Sequence, residues 1–327
     1  MHALDGAHVH AVTGPVATRR LGRCYAHAHL LGGPAEHPLD GSVAAADLHL
    51  DDAEHARAEL LAFRAAGGAT IVEMSCLDFG RSLSGLRTLS VATGTTIVAT
   101  TGFRRGRTAV SAGVPLDWKE LADRFERDVL EGEDGVTCGV IKAGSGAGEL
   151  SDADRVVLRA AAAAQLRTGA PISTHTEAGQ LVEEQLSELE AAGADLSRVA
   201  VAHVDRAYDV QAHRAALERG AYLIYDQIGK AKYRDAAGYA ELLRWVVDEG
   251  YADRVMLSSD FGRRSYLASW GGSPGIDYVL VGFVEEMRAL GVPEEILELG
   301  TLDTPARFFA CVRNSCAAEA AVVEGAA

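Results

Sequence analysis

The stretch Gly22 to Leu30, Gly-Arg-Cys-Tyr-Ala-His-Ala-His-Leu, decides the fold. Cys24-Tyr25-Ala26 reads as the end of a buried strand, and His27 and His29 follow at once. Residues i and i+2 of an extended chain face the same side, so two imidazoles project together from the strand's mouth. Neutral imidazole is the commonest protein ligand for zinc-like metals. A bare His-x-His also describes two hydrogen-bonded loop histidines. The reading therefore turns on whether further ligands arrive at the ends of other strands.

Seven more short apolar runs follow, at 69–74, 95–101, 136–141, 171–174, 199–202, 222–225 and 255–258. Helical patterns separate them, at 52–66, 83–93, 117–130, 152–167, 178–192, 210–219 and 239–249, several closed by Gly. Eight strands each followed by a helix predict an α/β fold, a (β/α)8 TIM barrel, with its active site at the C-terminal end of the strands. The rival, a doubly wound open sheet, would carry Gly-x-Gly-x-x-Gly after its first strand, and none is present. The pattern predicts a single barrel domain over 1–327, with an irregular segment at 1–20, two or three closing helices and a frayed tail at 317–327.

Length and composition agree. The 327 residues, 48% hydrophobic, suffice for a large core. No run of about 18 apolar residues exists to span a membrane, and the start lacks the basic-then-apolar order of a signal peptide. Five cysteines are too few and scattered for a disulfide framework, and Cys24, Cys76 and Cys138 read as small core residues. A cytoplasmic protein is expected. The net charge of −15 argues against nucleic acid as a partner, though not against a local basic pocket.

His27, His29, Lys142, His175, His203 and Asp260 all fall at the C-terminal ends of predicted strands. Singly, a histidine there is a core group, Asp260 a helix cap, and Lys142 a snorkelling or Schiff-base lysine. Six such residues at five strand ends, aimed at one mouth, point to a metal centre.

The set resembles the phosphotriesterase family of the amidohydrolase superfamily, from Leu21 to about Phe309. The carriers are Ala26-His27-Ala28-His29-Leu30, Val140-Ile141-Lys142-Ala143, Ile172-Ser173-Thr174-His175-Thr176, Ala202-His203-Val204-Asp205 and Ser258-Ser259-Asp260, with Gly272 to Gly275 and Pro305 to Phe308 in support. Two positions depart from the family pattern: Ala28 stands where Glu is usual, and Thr304 where Asn is. The resemblance implies two divalent metal ions, zinc first, with Mn, Co or Ni also accepted. His27, His29 and Asp260 would hold one and His175 and His203 the other, bridged by a CO2-derived carbamate on Lys142. A metal-bridging hydroxide would then attack the substrate while Asp260 takes the proton. Asp205, two residues after His203, reads either as a relay carboxylate behind that histidine or as a surface partner of Arg206.

Lys232 after the seventh strand, with Arg263 and Tyr266 after the eighth, looks like the phosphate grip of the family branch that hydrolyses phosphorylated sugar lactones; Arg104 is a further anion contact. The expected activity is hydrolysis of a small anionic, phosphorylated sugar lactone. Other lactones, including acyl-homoserine lactones, organophosphate triesters and N-acyl amides are the enzymatic alternatives, and a small-molecule binding protein on an inactive barrel is the non-enzymatic one. The resemblance also implies a homodimer.

Overall fold

Apolar residues alternating along each strand build two concentric layers. Cys24, Ala26, Val72, Met74, Val98, Val140, Ala200, Ala202, Ile224 and Met256 form an inner cluster. Their alternates, among them Tyr25, Ile71, Ile97, Ile141, Val201, Leu223 and Val255, pack outward against the helices. The computed structural model describes residues 7–34, 44–207 and 210–311, and the tail expected at 317–327 lies outside them.

A hairpin, β1 (His8–Ala11) and β2 (Gly14–Ala17), precedes β3 (Arg23–Ala28), β4 (Gly68–Glu73), β5 (Thr96–Gly102), β6 (Val140–Gly144), β7 (Ile172–His175), β8 (Val199–Ala202), β9 (Tyr222–Tyr225) and β10 (Val255–Leu257). The last eight are neighbours in sequence order, and every ladder between them is parallel. Around them lie α1 (Ala53–Ala65), α2 (Leu83–Thr93), α3 (Gly106–Ser111), α4 (Trp118–Leu130), α5 (Asp152–Thr168), α6 (Val182–Ala191), α7 (Gln211–Glu218) and α8 (Ala236–Asp248). Then follow α9 (Gly282–Ala289), α10 (Glu294–Thr301) and α11 (Asp303–Phe308). This is the expected (β/α)8 barrel. No helix among the described residues is long and apolar enough to cross a membrane.

Three local expectations change, and one helix is added. The segment 1–20 is not irregular where it is described: β1 and β2 pair antiparallel, and Val9 joins Leu21, Phe308 and Phe309 in the inner cluster, closing the N-terminal end of the barrel. The fourth barrel strand starts at Val140, because Glu133 and Val136 exchange backbone hydrogen bonds in a tight turn. Lys142 thus lies within its strand. The helix expected from Ala178 begins at Val182, since Ala178 and Leu181 take left-handed φ values of 54° and 60°. The short α3 carries too little periodicity to be read in advance.

The seam between β3 and β10 is bridged by the Ser258 side chain and by one backbone hydrogen bond. The Ser258 hydroxyl accepts from the His27 N–H at 3.0 Å and donates to the His27 carbonyl at 2.5 Å. The Asp260 N–H reaches the same carbonyl at 3.1 Å. Ser258→Ala leaves the buried His27 N–H without its acceptor, an expected loss of about 1–3 kcal/mol in urea unfolding. An unchanged unfolding midpoint would show that the seam does not depend on this hydroxyl.

Candidate metal centre

Strand parity delivers half of the six expected ligands. Lys142, His175 and Asp260 share the inward parity of Val140, Ser173 and Ser258. On β3 the pairing with β4 slips between Tyr25 and Ala28, both of which belong to the outer layer. That slip exchanges the two faces, so His27 and His29 turn inward and Ala28 outward. The unusual residue between the histidines is therefore packed against helices and not the site. On β8, alternation would send His203 outward, but its left-handed φ of 64° swings the ring into the mouth. A glycine is needed beside Lys142. Gly102 has φ +96°, and a Cβ there would lie 2.0 Å from the Lys142 carbonyl oxygen.

All six sequence-predicted ligands line one cavity of about 220 Å³. The donor atoms of His27, His29 and Asp260 lie within 4.8 Å of one another, and those of His27, His203 and Asp226 form a second such group. Asp260 Oδ1 is 3.3 Å from Nε2 of both His27 and His29. His29 Nδ1 is 3.0 Å from the Ser75 hydroxyl. His175 Nε2 meets Glu177 Oε1 at 3.1 Å, the contact that chiefly holds the Glu177 carboxyl down at about 2. Burial keeps the His175 ring neutral and, helped by Lys142, lowers His27 to about 3 against the pull of Asp226 and Asp260.

Lys142 is 2% exposed, and its Nζ has no hydrogen-bond partner among the described residues. Burial lowers its pKa, further helped by Arg104 and opposed by Cys76, Asp226 and Asp260. An orphaned, increasingly neutral amine among nitrogen and oxygen donors fits a metal centre in which that lysine is modified.

The carboxylate behind His203 is Asp226, which the sequence reading passed over. Its Oδ1 lies 2.8 Å from His203 Nδ1, and its Oδ2 lies 2.9 Å from His27 Nδ1, the latter approach off the hydrogen-bonding direction. Burial alone would raise its pKa, but His203 and His27 outweigh that and keep Asp226 ionised. Asp205 occupies neither position expected of it. It is buried, not at the surface, and its Oδ2 accepts from the Gln227 N–H and the Tyr239 hydroxyl, each at 2.7 Å. Arg206 instead lies over the Tyr233 ring at 4.4 Å and 4.0 Å from Glu177.

The basic residues separate similarly. Lys232 is exposed, its Nζ resting against the rings of Tyr233 and Tyr266, and it does not line the cavity. Lys230 does, and its Nζ donates to Asp260 Oδ2 at 3.0 Å, the Asp260 carbonyl at 2.7 Å and Gln227 Oε1 at 3.2 Å. With burial opposing, Lys230 and His27 hold the Asp260 carboxyl well below its usual range. Arg104, Arg206, Arg263 and Tyr266 complete the wall. Arg263 meets the Tyr266 ring at 6.0 Å and, among the described residues, no carboxylate.

A sequence profile of the phosphotriesterase family matches residues 7–309. The chain is similar to the phosphotriesterase homology protein of Escherichia coli (strain K12), with 32% identity over 291 residues, 88% of this chain and 98% of that one. A solved structure of the protein of that name from Escherichia coli, complexed with phosphate in its active site, superposes with a TM-score of 0.81 at 31% identity, covering 89% and 99% of the two chains. The N-acetyltaurine hydrolase of Rattus norvegicus is 31% identical over 76% of this chain and 74% of its own. A lactonase from Listeria monocytogenes superposes with a TM-score of 0.86 at 28% identity, covering 93% and 99%.

Tyr239→Phe removes one of the two donors to Asp205 Oδ2. It should cost about 1–3 kcal/mol of stability while metal content stays at the parent's level. Metal loss without destabilisation would return Asp205 to the role of relay behind His203.

Proposed function

This chain belongs to the phosphotriesterase family and is a metal-dependent hydrolase, and on that premise we propose that it opens a small anionic, phosphorylated sugar lactone. The observation that carries this reading is the pairing of six convergent candidate ligands with a cationic wall, in which Arg263 has no carboxylate partner among the described residues. A phosphate oxygen supplies what the Arg263 fork lacks. The cavity of about 220 Å³ is small beside the roughly 300–1,000 Å³ of ordinary ligand sites. That favours a compact substrate over a bulky aryl triester or a long acyl chain, and a neutral substrate would leave Arg263 unanswered.

His27, His29 and Asp260 would hold one divalent ion in this reading, and His175 and His203 the other. A carbamate on Lys142, formed if the neutral Nζ adds CO2 and loses a proton, would supply oxygen ligands to the centre. Bound there, the ions polarise the scissile carbonyl and make a water nucleophile more acidic. The protein's own groups do the rest. Asp260 would take the water's proton, while Lys230 Nζ and Gln227 Nε2, at 3.0 and 3.1 Å from Oδ2, hold its carboxylate in place. Arg263 and Tyr266 grip the phosphate, with Arg104 and Arg206 on the facing wall. Lys232, the grip residue expected from sequence, is left outside. The vertebrate relatives named for N-acetyltaurine favour a second reading, an N-acyl amide with an anionic tail. The same wall would take a sulfonate.

Kinetics on sugar lactones with and without phosphate, beside N-acyl sulfonates, separate the readings. The phosphorylated lactone should lead. Arg263→Ala should lower its kcat/KM by about 10- to 100-fold, the value of one charge-assisted contact, and Lys232→Ala should change it little. Equal losses on neutral lactones would remove the anion grip from the reading, and faster turnover of the N-acyl sulfonate would install the second reading. Two divalent ions per chain are expected by elemental analysis. Lys142→Ala should lose metal and turnover together, with partial recovery in added acetate. Full activity at one ion per chain would contradict the two-ion centre.

A further inference from the structure

We propose that Asp226 is a positioning residue shared by both halves of the metal centre, fixing the tautomers of His27 and His203 with one carboxylate. The inference rests on the reading of those two histidines as metal ligands. Asp226 directly follows β9 on the inward parity of Tyr222 and Ile224, and it is fully buried. Its two oxygens face different strands: Oδ1 lies 2.8 Å from Nδ1 of His203, past β8, and Oδ2 lies 2.9 Å from Nδ1 of His27, on β3. An ionised carboxylate only accepts hydrogen bonds, so the His203 proton belongs on Nδ1. The His27 approach at 2.9 Å lies off the hydrogen-bonding direction, and that ring's proton is placed on Nδ1 as well, the nitrogen nearest Oδ2. Each Nε2 then keeps its lone pair, and Nε2 of His27 is already turned toward Asp260 Oδ1 at 3.3 Å.

The surroundings hold Asp226 in this double role. Asp226 Oδ1 also accepts from the His203 backbone N–H at 3.2 Å and from Gln227 Nε2 at 2.9 Å. The second Gln227 amide hydrogen goes to Asp260 Oδ2, and its Oε1 accepts from Lys230. Gln227 Nε2 also lies 3.0 Å from His203 Nδ1, so with that ring's proton on Nδ1 the two amide hydrogens go to the Asp226 and Asp260 carboxylates. The other two histidines have separate anchors, Ser75 for His29 and Glu177 for His175. Only His27 and His203 share one. Because His27 and His203 belong to different ions, ordering Asp226 by one ion prepares the ring for the other, and the coupling is reciprocal.

Substitution separates this role from a merely structural one. In Asp226→Asn the amide oxygen accepts from one ring, and the NH2 group faces the other. That second ring must then carry its proton on Nε2, where it cannot bind metal. Zinc titration of the full chain against a chromophoric chelator should show one of two binding steps weakened by about 10- to 100-fold in Asp226→Asn, and both weakened in Asp226→Ala. Imidazole nitrogen NMR of the chelated parent protein should place protons on Nδ1 of both His27 and His203, with one moved to Nε2 in Asp226→Asn. Two parent-like zinc affinities in both variants, or an Nε2 proton on either ring of the parent, would overturn the inference. Should neither variant fold, the parent's tautomers alone decide. A parent that binds fewer than two zinc ions would instead sink the metal assignment beneath it.

Discussion

Closing eight parallel strands into a barrel brings their C-terminal ends into one ring, and side chains of inward parity there are pressed together away from water. In this chain those side chains are three buried histidines, a lysine and two aspartates, joined by a fourth histidine swung in by its backbone. An isolated ion so placed is costly, so buried groups pair or lose their charge. Both outcomes occur. Asp226 pairs with the rings of His203 and His27, and Asp260 with Lys230. Lys142 and His175 are pushed toward neutrality by burial. Neutral imidazoles and a neutral amine are electron-pair donors, so the same closure that makes the fold makes a metal-binding mouth.

The charge distribution follows a similar division. The chain as a whole carries −15, yet four cationic side chains, Arg104, Arg206, Lys230 and Arg263, face the cavity. Lys230 is committed to Asp260, and Arg206 approaches Glu177, so the cations differ in what they have left to offer a ligand. The acidic exterior and the cationic wall of the cavity thus carry opposite charge.

The barrel and the convergence of the six candidate ligands were legible from eight short apolar runs and the polar residues at their ends. Asp226 obeyed the same rule, at the end of Tyr222-Leu223-Ile224-Tyr225, and inward parity with Tyr222 and Ile224 would have found it. Asp205 misled because adjacency in sequence was read as adjacency in space. The left-handed turn at His203 breaks alternation, and two residues later the chain points at Tyr239 and Gln227. Lys230 and Lys232 sit in a loop without period, and only the hydrogen bonds to Asp260 show which one faces inward. The N-terminal hairpin was too short to announce itself, its strands being four residues each.

The most direct test of the centre is a zinc-loaded crystal structure with anomalous maps on either side of the zinc edge. Two peaks are expected, one against His27, His29 and Asp260 and one against His175 and His203, with added density on Lys142 Nζ lying between them. A single peak, or one seated among His27, His203 and Asp226 with Lys142 unmodified, would contradict the bridged two-ion centre.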